Sequence, residues 1–362
     1  MSDFYSNFNR WRCWNTNKIN LPLKRLSLTA FYVTSPERLI EFLNVRNLQS
    51  LKFRTCPGWD SLLRTLHESG QSFNLKSFEF KNSLDFTVDD EYEISDFLNA
   101  FTGLEELYLQ VIDPDSPFPL WEAALHHSLS LRRMVFHVRT ESIFGDSPYR
   151  GEEEDLINLS LRGVKAWERL KHYLSALDLE CLGLACPPFR FQSLLQPYCQ
   201  KGTLKVLHVR QSRLDIQRFG SWCFKTRKPD SMTPEFQDLV SWVFGPDGIN
   251  SLQLLAFGDF SCRGRLYAYN LILCRKDAPV ADGELPYHRL DPWLARNKSL
   301  SDSVCEFLEA CPSAPLMDVR HYRDLSDDEE EGHEIRHQEN DEDEEDDEDS
   351  DIDDNDIMEF DA

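Results

Sequence analysis

The chain has 362 residues, 41% hydrophobic and 12% aromatic, enough for a sizeable core. Its formal net charge of -24 is concentrated: residues 324–362 hold 23 of the 63 acidic side chains and one basic residue, Arg336, so residues 1–323 keep 40 acids against 38 bases. No apolar run reaches the roughly 18 residues of a membrane span, and the first 20 residues lack the apolar core and cleavage site of a secretory signal.

Residues 1–22 are polar and aromatic, and Trp11 and Trp14 are expected to cap the open end of the first repeat. From Leu23 one pattern recurs, a leucine with apolar residues three and five places on. It reads Leu23-x-x-Leu26-x-Leu28, Leu48-x-x-Leu51-x-Phe53, Leu75-x-x-Phe78-x-Phe80 and Leu104-x-x-Leu107-x-Leu109. It continues as Leu131-x-x-Met134-x-Phe136, Leu179-x-x-Leu182-x-Leu184, Leu204-x-x-Leu207-x-Val209 and Leu252-x-x-Leu255-x-Phe257. Successive first leucines lie 25, 27, 29, 27, 48, 25 and 48 residues apart, so both outliers are close to two periods. Side chains alternate along a strand, so the fourth and sixth residues of each motif enter a core while the third, fifth and seventh face the other way.

Between motifs the chain must turn and return, and helical periodicity marks several returns. Ser35-Pro36-Glu37 precedes Leu39, Ile40, Phe42 and Leu43; Asp60 precedes Leu62, Leu63 and Leu66. Tyr92–Phe101, Phe118–His127 and Lys165–Leu177 come next, and Thr233-Pro234-Glu235 opens a helix that Gly245-Pro246 stops. Leu156-x-x-Leu159-x-Leu161 fits the strand template as a ninth unit, but an inserted loop before a long helix fits equally; both readings stay open. Residues 211–232 read as a surface excursion, Asn270–Cys274 as one further strand and Ser301–Ala310 as a helix capping the stack. The expected fold is α/β: an irregular leucine-rich-repeat solenoid (a horseshoe) with parallel concave strands and convex helices over 23–320. Residues 1–22 form its cap and 321–362 a disordered acidic tail whose like charges leave little to bury.

The motifs resemble the irregular repeats of fungal F-box-like leucine-rich-repeat proteins. The closest phrases are Leu179-Glu180-Cys181-Leu182-Gly183-Leu184, Leu204–Ser212, Trp242–Gly248, Ser251–Phe260 and Asn270–Arg275. In that family the repeats present a protein substrate while an N-terminal F-box binds the adaptor of a cullin ubiquitin ligase. The resemblance therefore implies a substrate receptor with cullin-ligase subunits as partners, although the 22 residues before the first motif are too few for an F-box. The ninth motif position is Cys56 in one repeat and unrelated elsewhere, as expected of an irregular horseshoe.

Signs of chemistry are poor. His333-Glu334-Ile335-Arg336-His337 matches a zinc-protease string, but its acidic flanks offer no apolar helix face to shield a metal-bound water. Cys181, Cys186, Cys305 and Cys311 lack the paired spacing of a zinc site, and the ten scattered cysteines fit reduced thiols of the cytosol or nucleus. The sequons at Asn158 and Asn297 read as chance matches. His126-His127 is expected to cap a helix end or meet its dipole. No phosphate loop or nucleophile elbow occurs, so neither enzyme activity nor a cofactor or metal is expected.

The outward positions carry the binding expectation. Arg25, Lys52, Arg54, Lys81, Tyr108, Arg133, His137, His208 and Arg210 would line a mildly basic concave face for a protein partner, or for the chain's own acidic tail. The expected role is a non-catalytic protein-interaction scaffold, cytoplasmic or nuclear, with no membrane or direct nucleic-acid partner. The alternative is a nuclear histone-binding or chaperone protein that meets basic partners through its tail.

Overall fold

Each of the eight motifs opens a strand at its third residue. These are β1 (Arg25–Thr29), β2 (Ser50–Arg54), β3 (Ser77–Lys81), β4 (Glu106–Ile112), β5 (Arg133–Arg139), β6 (Cys181–Leu184), β7 (Val206–Val209) and β8 (Leu254–Phe257). The computed structural model describes residues 23–81, 90–112, 116–139, 164–211, 216, 220–226, 231–260, 270–276, 284–291 and 300–312. The chain divides into two units, Met1–His321 and Tyr322–Ala362, and every described residue belongs to the first.

The sheet has ten strands in sequential order and is mostly parallel. Equivalent motif positions pair without offset, Leu26 beside Leu51, Phe78, Leu107, Met134, Leu182, Leu207 and Leu255 in turn. A second ladder holds the strand entrances together. The residue after each first leucine donates its backbone N–H to the equivalent carbonyl one motif earlier: Gln49 to Lys24, Lys76 to Gln49, Glu105 to Lys76, and so on to Gln253 on Lys205, at 2.7–2.9 Å. These bonds involve no side chain, so the second motif position varies freely.

Eight α-helices occur among the described residues: α1 (Pro36–Phe42), α2 (Trp59–Glu68), α3 (Asp90–Asn99), α4 (Phe118–His126), α5 (Val164–Ala176), α6 (Pro188–Lys201), α7 (Pro234–Phe244) and α8 (Asp302–Leu308). The first seven cover one sheet face, because a strand's inward residues need a partner layer to exclude water. The motif leucines from Leu48 onward and the residues at motif positions four and six in β2–β8 are buried there. Helix aromatics meet the sixth position: Trp59 on Phe80 at 4.5 Å, Trp121 on Phe136 at 4.8 Å and Phe236 on Phe257 at 5.5 Å between centroids. Thr233 caps α7 as expected, its Oγ1 accepting the Phe236 N–H, whereas Ser35 stands before α1 without a side-chain bond.

Across both long gaps the flanking strands are direct neighbours in the sheet, β5 pairing with β6 and β7 with β8, so no strand is inserted between them. Leu156–Leu161 itself, the sequons, Trp11, Trp14, the His333–His337 string and the acidic segment lie outside the described residues. The 211–232 excursion is not confined to the surface. Phe224 bridges Met232, and Cys223 and Phe224 are buried in the core.

Beyond β8 the order changes. β9 (Leu271–Arg275) and β10 (Tyr287–Leu290) are antiparallel to their neighbours. Gly258 leaves β8 at φ +109, a conformation that favours glycine, and a Cβ there would sit 2.2 Å from Asn270 Oδ1. That carboxamide acts as a clip, accepting the Asp259 N–H at 3.0 Å and donating to the Asp259 carbonyl at 2.7 Å. Arg275 then donates to the carbonyls of Val243, Phe244, Ile249 and Leu252, satisfying the C-terminal end of α7 and the turn after it.

The largest departure concerns α8. A helix forms where Ser301–Ala310 predicts one, but it does not cap the stack. It packs on the sheet face away from the other helices, in a second apolar cluster of Tyr108, Val135, Cys181, Val206, Leu254, Ala256 and Ile272 with Phe307, Leu308, Ala310 and Cys311. Both sheet faces are therefore covered over β4–β9. No described helix is long and apolar enough to cross a membrane.

Candidate functional site

The strands bring all nine candidate residues onto this second face at motif positions three, five and seven. An open, solvent-facing array is not what forms. Arg25 is exposed, and the side chains of Lys52, Arg54 and Arg133 keep 27%, 24% and 29% of their surface. Lys81, Tyr108, His137, His208 and Arg210 are buried, and residues 300–312 pack against Tyr108, His208 and Arg210.

Burial dictates how the polar groups are paired. Glu79 is fully buried, its carboxylate held by two Arg54 bonds (Nε at 2.7 Å, Nη2 at 3.0 Å), by Lys52 at 3.4 Å and by the Cys311 backbone N–H at 2.9 Å. Burial alone would raise its pKa; the Arg54 bonds and charge, with Lys52 and the Cys311 N–H, outweigh it and hold the group below the usual carboxylate value. Arg133 pairs with Glu106 at 2.5 Å and also bonds Tyr108, whose hydroxyl burial pushes well above its ordinary pKa. The mild basic excess read along the strands is thus partly neutralised by two glutamates on the same face.

At the other end His208 donates from Nε2 to the Gly258 carbonyl at 2.7 Å, which leaves Nδ1 unprotonated. Burial, then the nearby Arg210 charge, holds its pKa well below the normal histidine value, so the ring is neutral. Arg210 donates from Nη2 to the Cys311 carbonyl at 2.7 Å and from Nε to His137 Nδ1 at 3.4 Å. Glu79 and Arg210, on β3 and beyond β7, therefore hold the N–H and the C=O of one residue, Cys311. Four residues earlier Phe307 lies between Tyr108 and His208, with ring centroids at 6.2 and 6.3 Å. Gly183 makes room beneath it: a Cβ there would stand 3.0 Å from Val135 Cγ2 and 3.6 Å from Phe307 Cζ.

What remains open is the β1–β3 rim. Arg25, Ser27, Lys52 and Arg54 line a groove of about 340 Å³ with Glu306 of α8 on its other side. Sequence reasoning missed Glu79 as the organising charge and the strap 300–312 as the covering element. The signal that could have found them was the apolar outward residues of the later motifs.

Burial raises the thiol pKa of Cys181 to about 11 and pushes those of Cys186, Cys223 and Cys311 higher still, the reverse of an activated nucleophile. Among the described residues no group of three or more His, Cys, Asp or Glu is placed to hold a metal. His127 stands at the helix end as expected, the C-cap residue of α4, but its ring does not meet the dipole as a cation: it is a buried, neutral bridge between the Leu98 carbonyl and the Leu104 N–H. Compared with protein-family models, with curated proteins and with solved structures, the chain matches none.

Proposed function

We propose that residues 23–312 form an irregular leucine-rich-repeat solenoid of the F-box-like receptor type, and that the protein is a non-catalytic interaction scaffold. The observation that carries this reading is the agreement of eight motifs with eight in-register parallel strands, each starting at the same motif position. Stacked units of this kind build one continuous core and one continuous second face, and binding by such proteins is a property of that face.

The exposed rim at Arg25, Lys52 and Arg54 is the partner contact assigned by this reading. Affinity purification of the full chain tests it. Recovery of cullin adaptor subunits together with a partner protein whose recovery Arg25→Glu reduces supports a substrate receptor; recovery of neither an adaptor nor a rim-dependent partner counts against it. The acidic stretch 324–362 favours a second reading, a chaperone for basic nuclear proteins. Core histones that co-purify and are lost on deleting 324–362 would support that one instead.

A further inference from the structure

Six polar or charged residues of the second face, Glu79, Lys81, Gln110, His137, His208 and Arg210, are buried, and a strap of about a dozen residues meets Glu79, His208 and Arg210 directly. A permanent core layer is ordinarily built from apolar side chains, because each buried polar group needs a partner. Here the partners include the strap's main chain. Glu79 accepts the N–H of Cys311 and Arg210 donates to its C=O, a pair of bonds that reads backbone and is blind to the side chain. Side-chain reading is done separately, where Phe307 enters a pocket of Tyr108, Val135, Gly183 and His208. Backbone clamping at one residue and an aromatic pocket four residues before it are the working parts of a peptide-recognition site.

We propose that the face of β3–β8 is a peptide-binding site that residues 300–312 occupy in cis, and that its ligand class is a short helical segment of a partner protein. That segment presents an aromatic side chain to the Phe307 pocket and, four residues on, a small residue whose backbone Glu79 and Arg210 hold. The inference rests on the scaffold reading for the existence of a partner. Small size at the clamped position is set by Cys311, which is fully buried with its Sγ 3.5 Å from the Phe80 carbonyl. The strap then acts as a competing pseudo-ligand, present at the millimolar effective concentration typical of a tethered segment.

The test uses a labelled synthetic peptide of residues 300–312 carrying Cys305→Ala and Cys311→Ala, and a control peptide that also carries Phe307→Ala. The full chain with Phe307→Ala is expected to bind the first peptide at least about tenfold more tightly than the natural chain does, and not to bind the control. A Phe307→Ala chain with unchanged circular dichroism that binds no better than the natural chain overturns the proposal. Should that variant fail to fold, the natural chain decides. Alkylation of Cys311 by iodoacetamide, monitored by mass spectrometry, is expected to quicken about fivefold or more with roughly 1 mM peptide; equal rates with peptide and control overturn the proposal. A rim-dependent partner recovered from a chain whose Cys311 never opens leaves the scaffold reading intact and removes only this inference.

Discussion

Replacing His127 by glutamine should remove a pH dependence that the natural chain carries. His127 follows α4 as its C-cap residue, buried, with Nε2–H donated to the Leu98 carbonyl at 3.0 Å and Nδ1 facing the Leu104 N–H at 3.5 Å. Burial, and next the charge of His126, lowers its pKa from 6.5 to about 4. With the folded pKa depressed, the unfolded chain takes up the proton first as pH falls. The stabilisation is whole above about pH 6.5 and declines toward pH 4. Linkage from these two values gives a loss of about 1.4 kcal/mol between about pH 8 and about pH 5.5, roughly tenfold in the folding constant, and at most about 3 kcal/mol by pH 4. Glutamine can keep one of the two backbone bonds, at an initial cost of about 1–3 kcal/mol, and does not titrate. Urea unfolding monitored by tryptophan fluorescence should therefore show the stability gap between the two chains narrowing by about 1.4 kcal/mol over that range. Parallel pH curves for both chains would refute the neutral-bridge assignment.

The buried charges, the Gly258 turn and the rim each set a further expected outcome. Glu79→Gln removes the carboxylate that pairs with Arg54 and Lys52, and should cost about 3 kcal/mol in urea unfolding. Because Glu79 titrates below the ordinary 4.5 when folded, its contribution is present above about that pH and lost as pH falls below it. Hydrogen-exchange protection factors of 300–312, taken against the intrinsic rate at each pH, should accordingly fall on acidification in the natural chain, and already be low at neutral pH in the variant. Gly258→Ala puts a Cβ against the Asn270 clip at a φ that disfavours L side chains, and should lower stability by about 2–4 kcal/mol, read as a reduced melting temperature. Arg25→Glu, which leaves the Glu79 cluster intact, should weaken a rim-bound acidic partner several-fold, up to about tenfold, and flatten the salt dependence of its binding, measured by titration calorimetry at several ionic strengths.

The motif leucines make the strands legible to the residue, because a strand's period of two and a parallel register leave little freedom once both apolar positions are set. Helices with capping signals, such as α7 after Thr233-Pro234, are equally legible. What escapes depends on neighbours distant in sequence. Helix α6 is missed, its apolar residues Phe191, Leu194, Leu195 and Tyr198 being interrupted by Pro197. β10 is a four-residue edge strand, Tyr-His-Arg-Leu, with one ladder partner and no useful alternation. The strap reads as a helix, but its docking place is set by Phe307, Glu79 and Arg210, and no local pattern links those three. One clue stands in the open: Val135, Cys181, Val206, Leu254 and Ala256 occupy positions that an uncovered sheet would fill with polar residues.

That clue also divides the second face functionally. Outward residues on β1–β3 are charged or hydroxyl-bearing, while those on β6–β8 are mainly apolar, so the two ends suit different contacts. The strap covers the apolar end and is fastened at the boundary by Glu79. A partner that uses only Arg25, Lys52 and Arg54 can bind while Cys311 stays sealed; one that reaches Tyr108 or His208 must first lift Phe307. The two modes differ in one observable. Addition of a purified partner leaves the Cys311 alkylation rate unchanged in the first mode and raises it in the second, because the thiol reaches solvent only when the strap leaves.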